Sequence, residues 1–150
     1  TVQRKLEELG FSVSVLNPDE VVTGPRCPFC NADPGRIILQ GEHVYALWDA
    51  FPVTEGHALI VPRRHVASWF DATPEEQTEM IAALSQVKER IEAEHAPAGY
   101  NMGINDGEAA GQTVGHLHLH VIPRYEGDVP DTRGGIRWVI PERACYWDDD

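Results

Sequence analysis

Apolar residues recur along this chain at two different periods. The segments "RIIL" (36–39), "HVYALWD" (43–49) and "HALIVPR" (57–63) are short runs rich in aliphatic and aromatic residues, and they read as strands. "QGEH" fits a turn between the first two, and "AFPVTEG" has the Pro and Gly of a loop. The period then changes. Met80, Ile81, Leu84, Val87 and Ile91 recur at helical spacing with charges on the other face, which predicts a helix over 74–95. Thr73 caps it, Pro74 takes the first helical position and Glu76 completes a capping box. Two more strands follow at 100–105 and 116–123, joined by the Gly-rich "DGEAAGQTVG". Upstream, Val2, Leu6 and Leu9 share one face of a short N-terminal helix over 2–9 that ends at Gly10. Beyond Pro130 the chain reads as irregular, with one apolar run, "WVIP", and an acidic end. This pattern predicts an α+β domain: an antiparallel sheet of about five strands, one long helix and the short N-terminal one.

Length and composition narrow the function classes. One hundred and fifty residues bury an ordinary core as a single domain, and the formal net charge of −12 argues against a nucleic-acid backbone as the main partner. A small phosphorylated ligand stays compatible with that charge, because local donors and dipoles decide such binding. No segment is long and apolar enough to span a membrane, so no membrane partner is expected. Cys27, Cys30 and Cys145 form no disulfide framework, and "TVQRKLEELG" lacks the apolar core of a signal peptide; both features predict a reducing cytoplasm.

The candidate chemistry concentrates in "GHLHLHVIPR", residues 115–124. In a strand, side chains alternate between faces, so His116, His118 and His120 share one face at spacings of about 6–7 Å. Leu117, Leu119 and Val121 then point to the core. A neutral imidazole is a nucleophile at phosphorus or a general base, and a protonated one stabilises phosphate charge. The preceding "AAGQTVG" can offer backbone N–H groups and the Gln112 and Thr113 side chains to anionic oxygens. Together these point to phosphoryl or nucleotidyl chemistry.

A second constellation is "RCPFC". Cys27 and Cys30 have the separation that lets two thiolates grip one ion. Three readings compete: a thioredoxin-type redox pair, two buried free thiols, and a Cys₂His₂ zinc site with histidines from elsewhere. In the tail, Arg124, Arg133 and Arg137 can meet phosphates and Trp138 or Trp147 can stack on a base. The simpler reading is a tail packed over the sheet with its arginines solvated.

"GHLHLHVIP" resembles the signature of the histidine triad (HIT) family. "NDGEAAGQTVGHLHLHVIPR" is similar to its nucleotide hydrolases, particularly the diadenosine polyphosphate hydrolase (fragile histidine triad) branch, and "EGHALIVPRRH" matches another family block. The resemblance covers most of residues 27–125. It leaves 1–26 as an N-terminal extension and 126–150 as a C-terminal tail of one domain over 1–150. It implies a HIT-like fold and a nucleotide hydrolase, acting on a purine nucleotide or dinucleoside polyphosphate. His118 then attacks the α-phosphorus to form a nucleotidyl-histidine, which water cleaves. His120 contacts the phosphate, and His57 orients the nucleophile region. Asn105, Gly111, Gln112 and Thr113 match phosphate and leaving-group contacts, and Asp49 falls where family members bind ribose hydroxyls. A surface turn is the competing reading of Asp49. Bacterial-type members carry a structural zinc site whose ligands correspond to Cys27, Cys30, His65 and His116, and the family implies a homodimer. Nucleotidyl transfer to another acceptor, phosphoramidate hydrolysis, and a nucleotide-binding or interaction module with little turnover are the competing functions.

Overall fold

The computed structural model describes residues 27–148, so the helix expected over 2–9 lies outside the described residues. β1 (Ile37–Gln40), β2 (Val44–Trp48) and β3 (Ala58–Pro62) come first, then α1 (Pro74–Glu92), β4 (Gly99–Ile104), β5 (Leu119–Arg124) and a final short α2 (Pro141–Ala144). The strands form one five-stranded antiparallel sheet in the order β1-β2-β3-β5-β4. Both the α+β class and the five strands expected from the apolar pattern are present.

The apolar runs of β2 and β3 are buried on both faces. Val44, Ala46, Ala58 and Ile60 pack with Met80, Ala83, Val87 and Ile91 of α1. Tyr45, Leu47, Leu59 and Val61 face the other way, onto Cys27, Phe29 and Val114. The helix therefore closes one face of the sheet, and the "CPFC" segment covers part of the other. Ile81, expected on the core stripe of α1, is 54% exposed. The buried stripe runs through Met80, Ala83, Val87 and Ile91, at offsets of three, four and four, which leaves position 81 off its edge.

Polar residues fix the ends of these elements. Thr73 Oγ1 accepts from the Glu76 N–H at 3.1 Å while Glu76 Oε1 accepts from the Thr73 N–H at 2.8 Å, which is the capping box expected from the sequence. Arg64 adds an ion pair to the same Glu76 oxygen at 2.8 Å. Thr73→Ala removes one half of this box and is expected to cost about 1 kcal/mol. Thermal denaturation checks this, with the midpoint falling by about 3 °C for a chain of this size. One turn further on, Glu79 accepts N–H bonds from Glu42, His43 and Val44, pinning the β1–β2 turn to the helix.

The tail packs beside β4. An ideal Cβ on Gly135 would sit 3.4 Å from Asn101, and one on Gly103 would sit 3.9 Å from Ile136. Arg124 forks onto Asp128, with both nitrogen–oxygen distances at 2.7 Å. The Arg133 and Arg137 guanidinium groups lie 4.5 and 4.7 Å from the ring centroids of Trp147 and Tyr146. Arg124, at the end of β5, also donates to Asn101 of β4 at 2.6 Å. No helix among the described residues is long and apolar enough to cross a membrane.

Candidate nucleotide and metal sites

The histidine row departs from a regular strand. Pairing in β5 begins at Leu119, so His116 and His118 precede the ladder; there the Leu117 N–H bonds to the Val66 carbonyl at 2.7 Å instead. The alternation still holds: Leu117, Leu119 and Val121 pack into the core under α1, and the three rings lie on the opposite side, buried to different degrees. His116 is 0% exposed and His118 8%, while His120 is half-buried opposite Leu59.

Hydrogen bonds to groups of fixed character set the tautomer of each ring. The carbonyl of His116 lies 2.8 Å from His118 Nδ1, and a carbonyl only accepts, so His118 carries its proton on Nδ1. Its Nε2 keeps a free electron pair. The Val53 N–H donates to His57 Nδ1 at 3.1 Å, so neutral His57 is protonated on Nε2. That Nε2–H lies 3.0 Å from His120 Nδ1 and 3.3 Å from Asp49 Oδ2. Accepting at Nδ1 leaves His120 with its proton on Nε2. Asp49 is itself held by the Phe51 N–H on its other oxygen, at 2.8 Å.

Burial disfavours charge on all these rings. It pushes His57 and His118 below the ordinary histidine value, and His120 down to about 4. For His120 the neighbouring His118 and His57 add to that effect and Asp49 opposes it. At neutral pH the site thus sets an uncharged nucleophilic nitrogen, His118 Nε2, beside an uncharged N–H donor, His120 Nε2. The two ring centroids are 5.0 Å apart.

Both rings open onto a pocket of about 230 Å³, whose wall also includes Asp49, His57, Asn105, Gly111 and Thr113. Gly111 adopts φ +93°, a conformation costly for residues with a Cβ, and this turns the Gly-rich loop toward the pocket. Gln112, expected on the same wall, does not line it. Its carboxamide is buried and committed to the loop backbone: Oε1 accepts from the Gly107 N–H, and Nε2 donates to the Ala67 and Val114 carbonyls. Gln112 shapes the loop that carries Gly111 and Thr113.

Cys27, Cys30, His65 and His116 converge on the other side of this wall, with their ligand atoms all within 4.8 Å of one another. Cys27 Sγ and Cys30 Sγ lie 3.4 and 3.6 Å from His116 Nδ1, and Cys30 Sγ lies 3.1 Å from His65 Nδ1. A zinc ion with bonds of about 2.0–2.3 Å spaces its tetrahedral ligands by about 3.3–3.8 Å, close to these values. His116 Nε2 donates to the Pro62 carbonyl at 2.8 Å, which frees Nδ1 as a ligand and orients the ring. Burial pushes the Cys27 thiol up to about 12. The donor set, spacing and outer hydrogen bond all fit zinc.

Phe29, between the two cysteines, is the residue that the motif reading passed over. Its ring centroid lies 5.6 Å from that of His116 and 5.1 Å from that of His118, so it stands between the two clusters. Its only sequence signal is its place inside "CPFC".

Residues 31–127 match the HIT domain family. The chain is similar to the AP-4-A phosphorylase of Mycobacterium tuberculosis, at 35% identity over 67% of this chain and 52% of that protein. It is also similar to the asymmetrical bis(5'-nucleosyl)-tetraphosphatase of Schizosaccharomyces pombe, at 42% identity over 51% of this chain and 42% of that protein. The chain thus spans about half the length of these two enzymes. Among solved structures, a zinc-bound histidine triad family protein from Mycobacterium smegmatis superposes with a TM-score of 0.62. That match has 33% identity and covers 79% of this chain and 93% of that one.

Proposed function

Since this chain belongs to the HIT domain family, we propose that it is a nucleotide hydrolase that cleaves at the α-phosphate through a nucleotidyl intermediate on His118. The observation that carries this reading is the 2.8 Å hydrogen bond from His118 Nδ1 to the His116 carbonyl. It holds a buried, neutral imidazole with Nε2 as the attacking atom. In the first step the Nε2 electron pair forms the N–P bond. The bond from the α-phosphorus to its bridging oxygen breaks, and its electron pair leaves with the departing phosphate. The positive charge that develops on the ring is met by the same His116 carbonyl. In the second step a water oxygen bonds to phosphorus, a proton passes to solvent, and the N–P pair returns to Nε2.

The other residues take roles set by their positions. His120 Nε2–H donates to a phosphate oxygen, while His57 holds His120 in the required tautomer. Asn105, Gly111 and Thr113 receive the phosphates, and Gln112 supports that loop from behind. Asp49 accepts from the ribose hydroxyls. Cys27, Cys30, His65 and His116 would hold a structural zinc, which would fasten the "CPFC" segment to the residues ahead of β5.

Similarity to a phosphorylase supports a second acceptor beside water. A panel of dinucleoside polyphosphates and nucleoside phosphoramidates, run in ¹⁸O-labelled water with and without inorganic phosphate, tests both. Labelled nucleoside monophosphate is the expected product. Nucleoside diphosphate that forms only with phosphate present would make the chain a phosphorylase, and no turnover on any substrate would contradict the proposal.

A further inference from the structure

Arg36 follows Pro34 and Gly35 in the short 3₁₀ turn that leads into β1, and no motif drew attention to it. Its side chain lines the same pocket as His118 and Asp49 and is the only lysine or arginine among the described residues that does so. The residue is half-buried, and its guanidinium donates one bond, at 3.3 Å, to the Trp48 carbonyl. No carboxylate pairs with it among the described residues, so most of its five donors are uncommitted.

The register of the sheet sets Arg36 at the far side of the pocket from His120. Ile37, next to Arg36, pairs with Leu47, Leu47 pairs with Leu59, and Leu59 pairs with His120. Three inter-strand steps of about 4.8 Å separate Arg36 from the reacting histidines by about 14 Å of sheet. Asp49 at the end of β2 and His57 at the start of β3 lie between. The order across the sheet is therefore Arg36, Asp49, His57, His120. That is the order of a nucleotide laid with phosphorus at the histidines and ribose on the carboxylate, and its base then meets Arg36.

Resting on the nucleotidyl-transfer reading above, we propose that Arg36 is a base-specificity residue that selects a 6-oxopurine, guanine or hypoxanthine, over adenine. A guanidinium only donates. The O6 and N7 of a 6-oxopurine are two adjacent acceptors that its fork grips together, whereas adenine turns the donor N6–H₂ toward it. Such a pair discriminates by about ten- to a hundred-fold.

The test compares binding of guanosine, inosine and adenosine monophosphates by calorimetry, and kcat/KM on the matching dinucleoside polyphosphates. Wild type, Arg36→Met and Arg36→Lys are measured side by side. The expected result is guanosine and inosine together above adenosine by at least about tenfold in the wild type. Arg36→Met abolishes that ratio, and Arg36→Lys, which keeps the charge without the fork, loses most of it. Equal binding of all three nucleotides by the wild type, or a ratio unchanged in Arg36→Met, overturns the role of Arg36. Binding with the predicted ratio but no turnover contradicts the hydrolase reading and leaves the Arg36 assignment supported.

Discussion

His118→Ala is expected to lower the rate of nucleotide cleavage by at least about 10⁴-fold, while nucleoside monophosphate binding changes by less than about tenfold. The two readouts separate because His118 bears on the chemistry and other groups bear on affinity. Asp49, Thr113, Gly111 and the apolar walls remain in place around the missing ring. Removing a nucleophile leaves only the positioning and electrostatic parts of the rate enhancement. His120→Ala is expected to be milder, because it deletes a donor to the phosphate and leaves the attacking atom untouched. Steady-state kinetics paired with calorimetric binding checks both. A His118→Ala protein that retains a tenth or more of wild-type turnover would show that another group attacks phosphorus.

Stripping zinc with a strong chelator, or Cys27→Ala, is expected to lower the thermal midpoint by at least about 10 °C. Cys145→Ala, outside the cluster, shifts it little. The size follows from what the ligands join. Cys27 and Cys30 belong to a segment with little regular structure, His65 follows β3, and His116 precedes β5. A bound ion would tie all of these together and stabilise the folded chain alone, by several kcal/mol. At about 3 °C per kcal/mol for a chain of this size, that gives the expected shift. Elemental analysis alongside calorimetry settles it: about one zinc per chain, lost together with the stability. A chain purified without chelator that contains no zinc, and whose melting is indifferent to chelation, would contradict the assignment.

The sequence made the framework of this molecule legible because that framework follows from local rules. Short apolar runs gave the strands, and the Thr73–Glu76 spacing gave the start of the long helix. The spacing within "HLHLH" and "CPFC" pointed to two chemical clusters, and the structure has both. The division of neighbouring histidines between them came from the family resemblance, which set His116 with Cys27, Cys30 and His65, and not from the spacing itself. Alternation set the three rings opposite Leu117, Leu119 and Val121, as the core packing bears out, but it gave no sign that the backbone there bonds outside the ladder or that the Phe29 ring sits against two of the imidazoles. Tautomers were beyond reach for the same reason. They depend on the Val53 N–H and on the carbonyls of His116 and Pro62, groups that no side-chain pattern encodes. Gln112 shows a further limit. Its place in a Gly-rich loop suggested a ligand contact, whereas its amide is consumed by the backbone around it. Arg36 lay in a stretch with no motif at all, and only the sheet register brings it to the pocket.

The central claim, that His118 Nε2 carries the nucleotide between two displacements, is tested most directly by mass spectrometry of the protein quenched during turnover of a dinucleoside polyphosphate. The expected spectrum shows the intact chain heavier by one nucleotidyl group, with the fragment ions placing that group on His118. A nucleotidyl group on His116 or His120, or active turnover through which the chain never gains that mass, would contradict it.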